Sequence, residues 1–303
     1  MTTSNSALPT STNYLRTMRR LSMPRLLKQM IFLTLWAAGM TTAFAQANAP
    51  TGEIQGSAIV HTPSSLQGVV SGAAVVLPTR ATGGAVFSGL WRDAPRTAKD
   101  RVPVVVFLHG SSGLGLPAIG EWQRWLASLG IASVAPDSFA LPNRITYKSP
   151  IPKDVYEQIH ALRASEIAPV VQALRDAAWA DSTRLVLAGA SEGATSVARW
   201  SGNEFAGRLV YAWSCEDNYF VQTHRTVLPA TQPVLNVIST SDPFFSPSNA
   251  WLGNPAAKGH CGDALRDHKQ SAVVLIPGAP HTLLNLPAAR HATEGFLRDL
   301  LKP

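Results

Sequence analysis

The first 45 residues contain no aspartate or glutamate, although they carry Arg16, Arg19, Arg20, Arg25 and Lys28. Those five account for most of the formal charge of +7, because the remaining 21 basic residues face 19 acidic ones. The basicity therefore belongs to one end of the chain, and it excludes the distributed positive surface of a nucleic-acid binder. Long apolar runs are also missing. The longest, Met30 to Met40, is too short for a membrane-spanning helix of about 20 residues. Basic residues, a short apolar stretch and the small-x-small pattern Ala43-Phe44-Ala45 instead read as an export signal over residues 1–45. Ala45-Gln46-Ala47 is a second possible cleavage pattern. With no cysteine near that site a lipid anchor is excluded, and the expected location is the periplasm or the extracellular space.

Cysteine is scarce, and only Cys215 and Cys261 occur. In an oxidising compartment their pairing is the natural expectation, with two free thiols as the alternative. A zinc site from His260, Cys261, Asp263 and His268 matches no familiar ligand spacing, so no metal and no cofactor are expected. Internal repeats and low-complexity tracts are absent. With 46% hydrophobic residues, the chain has enough apolar material for one sizeable core. Residues 46–64 read as an extended, poorly ordered lead-in and 65–303 as one catalytic domain.

What is present is an ordered set of strand-end motifs. The apolar run Arg184 to Ala188 leads into Gly189-Ala190-Ser191-Glu192-Gly193, a G-x-S-x-G pattern. Such a pattern places a serine at a sharp strand-to-helix turn, where small neighbours let strand and helix pass closely. Alone it occurs often by chance. Upstream, however, Val104 to Leu108 reads as a buried strand ending in His109-Gly110-Ser111-Ser112-Gly113. A loop of that kind offers a backbone N–H to an oxyanion, assigned to Ser111 with Ser112 as the alternative, and Glu192 would supply the second.

Downstream, Pro233 to Ile238 reads as a strand followed by Asp242, and Ala272 to Ile276 as a strand followed by His281. Serine, aspartate and histidine in that chain order, each past a strand end, match the α/β-hydrolase arrangement. His281 would take the Ser191 proton and Asp242 would orient the imidazole. The rivals are Asp217 and Asp263 for the acid and His268, in the polar stretch Asp263 to Gln270 that reads as helical, for the base. Of the seven other histidines, His61, His109, His160, His224, His260, His268 and His291, most read as surface or capping residues.

The segment Phe107 to Gly115, then Trp122 to Gly130 and Val134-Ala135-Pro136-Asp137-Ser138-Phe139, resembles the dienelactone-hydrolase-like branch of bacterial α/β-hydrolases. The resemblance runs from about Val104 to the C-terminus. It implies an α/β fold with a mostly parallel central sheet covered by helices on both faces, and hydrolysis of esters or related acyl compounds. The enzyme that names that family has cysteine at the nucleophile position, where this chain has Ser191, so a dienelactone substrate is not implied.

Further expectations concern the surroundings of the site. Val69-Val70, Ala73 to Leu77 and Gly84 to Leu90 suggest an antiparallel pair at a sheet edge, and Lys153 to Ala178 one long helix. The loop from Phe139 to Pro152 would shape one wall. Phe244, Phe245 and Trp251 are candidates to hold an apolar or aromatic acyl group, and at least one of them would merely pack over the sheet. No large lid insertion is evident. The expected partner is a small-molecule ester, without nucleic acid or a stable membrane anchor. Two other readings are a catalytically silent binding protein on the same fold, and a peptidase or acyltransferase using the same triad.

Overall fold

The structure, a computed structural model, describes residues 49–302, so the export signal read over 1–45 lies outside the described residues. In chain order the first elements are β1 (Glu53–Gln55), α1 (Pro63–Ser71), β2 (Ala74–Leu77), α2 (Thr79–Thr82), β3 (Phe87–Leu90) and β4 (Val102–Leu108). They are followed by α3 (Pro117–Ser128), β5 (Ala132–Ala135), β6 (Thr146–Lys148), α4 (Lys153–Ser165), α5 (Ile167–Asp176) and β7 (Ala180–Ala190). The last are α6 (Glu192–Arg199), β8 (Gly207–Tyr211), β9 (Val234–Ser239), β10 (Ser271–Ile276) and α7 (Pro287–Leu300).

Eight strands form one sheet in the order β10-β9-β8-β7-β4-β5-β2-β3. The pairs from β10 through to β5 are parallel, whereas β2 runs antiparallel to both β5 and β3. Every residue of β4 and of β9 is buried, as a sheet covered on both faces requires. One apolar cluster fills each side: Leu108, Leu187 and Trp213 belong to one, Phe107, Trp122 and Tyr211 to the other. Trp122, on α3, sits wholly buried with its ring 5.0 Å from Phe107 and 5.9 Å from Tyr211.

Several expectations are revised. Val69 and Val70 lie in α1, not in a strand, because Thr62 and Ser65 form a capping box and Pro63 opens the helix. The antiparallel edge pair is β2 with β3, in register Ala74↔Leu90 to Leu77↔Phe87. The lead-in contains β1, which pairs antiparallel with β6. The long helix is two helices separated at Glu166. Pro169 has no N–H to continue the ladder from α4, so the break falls just before it. Asp263 to Gln270 is a succession of turns and not a helix. His109 and His160 are buried.

Between β4 and β7 the chain changes direction across the sheet: β5 lies on one side of β4 and β7 on the other. A crevice opens beyond the carboxyl ends of strands at such a switch point. The Gly110 loop follows β4 and Ser191 follows β7, which brings the two to that crevice.

Candidate active site

Ser191 stands between β7 and α6 with φ 55° and ψ −118°. A non-glycine residue held there is strained by roughly 1–3 kcal/mol, so the surroundings must fix it. Its N–H donates to the Tyr211 carbonyl at 3.0 Å, and its carbonyl receives the N–H of Ala194 at 3.0 Å, which ties the turn to β8 on one side and α6 on the other. The flanking glycines are dictated by space. A Cβ at Gly193 would collide with the Leu108 carbonyl, and one at Gly189 would meet the Gly193 backbone. Ser191 is also the N-cap of α6, whose positive dipole end favours negative charge in front of it.

The loop after β4 is a tight turn closed by the Gly113 N–H on the Gly110 carbonyl at 3.1 Å. Neither the Ser111 nor the Ser112 N–H has a hydrogen-bond acceptor among the described residues. Gly110 abuts the elbow: a Cβ placed on it would lie 3.4 Å from the Ser191 Cβ. Gly110, Ser111, Ser112, Ser191 and His281 all line one cavity of about 140 Å³.

Asp242 is fully buried three residues past the end of β9. Its Oδ1 accepts the N–H groups of Phe244 and Phe245 at 2.9 and 3.1 Å, and its Oδ2 lies 2.7 Å from Nδ1 of His281. A carboxylate can only accept, so Nδ1 carries the proton and Nε2 is left as an acceptor. The Thr240 N–H on the Ile276 carbonyl, 3.2 Å, joins the ends of β9 and β10 and so fixes the acid loop beside the histidine loop. Phe244 stands edge-on to the imidazole with ring centroids 4.7 Å apart. Ser191 Oγ has no hydrogen-bond partner among the described residues. The Ser191–His281 leg of the proposed triad therefore rests on the cavity the two residues share and not on a hydrogen bond.

The remaining wall is aromatic. Tyr147 and Ser149, from the Phe139 to Pro152 loop, line the cavity with Tyr219, Phe220, Phe244 and Phe245. Burial raises the Tyr219 phenol, and burial with the nearby Glu192 carboxylate raises Tyr147 well above its ordinary value, so both remain O–H donors. Trp251 departs from expectation. It does not line the cavity but packs edge-on against Tyr219, with ring centroids 4.5 Å apart. The rival acids also fall elsewhere: Asp217 is bonded to His224, and Asp263 pairs with Lys258 and Arg266 at the surface. His268 Nε2 lies 3.1 Å from the Leu228 carbonyl, away from the crevice. Cys215 and Cys261 are joined in a disulfide. Among the described residues no group of three metal-ligating side chains occurs.

Beneath the site lies a set of charges that the sequence did not reveal. The Glu192 side chain is wholly buried, and its Oε1 accepts Arg144 Nη2 at 2.6 Å and Arg163 Nη1 at 2.9 Å. Burial opposes its charge, but the two guanidiniums prevail and hold its pKa down to about 2. Arg163 Nε also donates to Glu166 at 3.0 Å, and Glu166 in turn lies 3.3 Å from His61 Nε2. Next to them His109 is kept neutral, its pKa lowered to about 3 by burial and then by Arg163. Its Nδ1 donates to the Gly110 carbonyl at 2.7 Å and its Nε2 accepts the Ser138 N–H at 3.2 Å.

A mostly parallel sheet of this order, with serine past β7, acid past β9 and histidine past β10, is the α/β-hydrolase fold. The chain is similar in structure to a provisionally assigned dienelactone hydrolase from Klebsiella pneumoniae subsp. pneumoniae, with a TM-score of 0.50 at 15% identity over 76% of this chain and 99% of that one. Est1E from Butyrivibrio proteoclasticus aligns at a TM-score of 0.47 and 16% identity, over 76% of this chain and 94% of that one. A serine hydrolase without lid from Xanthomonas campestris aligns at 0.45 and 18%, over 76% and 87%. No family model and no curated protein matches the chain.

Proposed function

We propose that this protein is an exported serine hydrolase that cleaves carboxylic esters through an acyl-enzyme. The observation that carries the reading is the His281–Asp242 bond of 2.7 Å in the cavity that Ser191 also lines. In this reading Nε2 of His281 takes the proton of Ser191 Oγ as the oxygen attacks the ester carbonyl. The C–O π pair moves onto the carbonyl oxygen, and the amides of Glu192 and of Ser111, or its neighbour Ser112, receive the resulting oxyanion. Collapse expels the alkoxide, which leaves as the alcohol with the proton from His281. Water then repeats the sequence on the acyl-serine and releases the acid.

The cavity argues for small to medium acyl groups. About 140 Å³ lies below the roughly 300–1,000 Å³ of sites for drug-sized ligands, and its apolar aromatic wall suits a short aliphatic or aromatic acyl chain. Phe244 and Phe245 are assigned to that wall, and Trp251 supports it from behind. The export signal read over residues 1–45 and the Cys215–Cys261 bridge favour an oxidising compartment. No helix among the described residues is long and apolar enough to cross a membrane. Ser191→Ala should reduce hydrolysis of p-nitrophenyl acetate and butyrate by at least about 10⁴-fold, and a fluorophosphonate should label the parent protein at Ser191 alone. Turnover that survives the substitution would refute the assignment.

A further inference from the structure

An oxyanion hole depends on the separation of two amides that here come from different strand ends, the loop after β4 and the first turn of α6. A misplacement of about 1 Å is worth about 10²-fold in rate. The β4–β7 ladder holds the two strands together only up to Leu108↔Gly189, three residues short of each donor. Beyond it, one side chain bridges the two segments. Arg163, in the last turn of α4, is fully buried, and its Nη1 donates both to the His109 carbonyl at 2.8 Å and to Glu192 Oε1 at 2.9 Å. His109 lies two residues before Ser111, and Glu192 is itself the second donor residue. Arg144 supports the same carboxylate oxygen while bonding Ser138 Oγ at 2.7 Å and the Ile145 carbonyl at 2.9 Å.

We propose that Arg163 is a positioning residue that sets the two oxyanion donors against each other by clamping the His109 carbonyl and the Glu192 carboxylate in one guanidinium, an inference that rests on the serine-hydrolase reading above.

Stability by itself is a poor reason for this arrangement. Buried ion networks are often matched or exceeded in stability by apolar residues of similar volume. What an apolar replacement cannot do is hold two acceptors from separate loops at fixed distance. Arginine has a rigid, planar set of donors suited to that task, whereas lysine offers a single shorter-reaching ammonium. The charges also balance: Arg144 and Arg163 face Glu166 and Glu192. The clamp therefore adds no net charge behind the nucleophile.

The test uses Arg163→Met and Arg163→Lys in the full chain, with Ser191→Ala as the check on the reading itself and Arg208→Met as a comparison. Arg208 is another fully buried arginine, on β8, whose bonds go to the Phe205, Gly207 and Gly202 carbonyls, away from the cavity. Each variant is measured for kcat and KM on p-nitrophenyl butyrate, for affinity toward a short alkylboronic acid that forms a tetrahedral adduct with the serine, and for unfolding temperature. Arg163→Met should lower kcat by about 10- to 100-fold with KM within about twofold, and weaken boronate affinity by the same factor as kcat; Arg163→Lys should fall between. Arg208→Met should lose unfolding temperature and keep kcat. If both Arg163 variants lose unfolding temperature but keep parental kcat and boronate affinity, the clamp is refuted. Should Arg163→Met fail to fold, the charge-preserving Arg163→Lys decides by the same criterion. Activity in Ser191→Ala would instead overturn the hydrolase reading, independently of Arg163.

Discussion

Asp242 and His281, 39 residues apart in the chain, meet through a 2.7 Å contact between a buried carboxylate oxygen and Nδ1 of the imidazole. The other carboxylate oxygen is occupied by two backbone amides, so the acid has one orientation and the imidazole one tautomer. Asp242→Asn keeps the shape and can still accept the Phe244 and Phe245 amides through its carbonyl oxygen. Its NH₂ would then face Nδ1 and force the proton to Nε2, the nitrogen that must be free to act as base. A fall in kcat of about 10³- to 10⁴-fold with little change in unfolding temperature is expected. Steady-state kinetics beside a thermal melt would check it, and a kcat within tenfold of the parent would remove Asp242 from its assigned role.

Gly193→Ala addresses the elbow. The added methyl has no free space, because the Leu108 carbonyl already occupies its position, and the obstacle is the backbone of β4, not a movable side chain. Either α6 shifts away from the sheet or the Ser191 turn relaxes. A loss of about 1–3 kcal/mol in urea unfolding, together with a drop in kcat, is the expected outcome. Unchanged stability would mean that strand and helix are not as closely opposed as described.

The strand-end positions of the proposed triad were legible because each residue follows an apolar run whose length and β-branched content mark a buried strand. Arg184 to Ala188, Val234 to Ile238 and Ala272 to Ile276 all reappear within strands of the sheet. Local signals were also present, though outweighed, for two of the misread elements. Thr62-Pro63-Ser64-Ser65 is a helix start that two β-branched valines concealed, and Pro169 marks the break in the long helix. Arg144, Arg163 and Glu192 are different in kind. Nothing near any of them announces burial, since charged residues are mostly exposed and the partners lie 29 and 48 positions from Glu192. Only the packing of α4 and the Phe139 to Pro152 loop against the elbow brings them together. The same holds for Trp251, whose proximity in sequence to Phe244 suggested the cavity but whose ring packs on Tyr219 and does not line it.

The disulfide closes a loop of 46 residues between the end of β8 and the segment before β10. Chain-entropy reasoning gives such a loop about 4 kcal/mol. Cys215→Ala with Cys261→Ala should lower unfolding free energy by roughly that amount, and the difference between parent and variant should vanish when the parent is reduced. Two free sulfhydryls in denatured, unreduced parent protein would show that the bridge does not form.

Acid sensitivity follows from His160, which is buried beneath α6 with its ring 4.8 Å from Phe220. Burial first, and the Arg199 guanidinium second, lower its pKa from 6.5 to about 4. The unfolded chain therefore binds a proton at this position between about pH 6.5 and 4 that the folded protein refuses. The stabilising contribution is complete above pH 6.5, declines as the pH falls through that window, and levels off below about 4. Its full size is on the order of 3 kcal/mol. His109 behaves alike down to about 3, so two protons are taken up on unfolding near pH 5. Glu192 adds a later loss as its carboxylate is protonated in the unfolded chain near 4.5 but not in the folded one until about 2. Denaturant titrations from pH 7.5 to 4 should give a falling unfolding free energy, and His160→Gln should flatten that slope by about one proton even if it lowers stability at neutral pH. An identical slope in parent and variant would show that His160 titrates alike in folded and unfolded chains, contrary to the burial seen here.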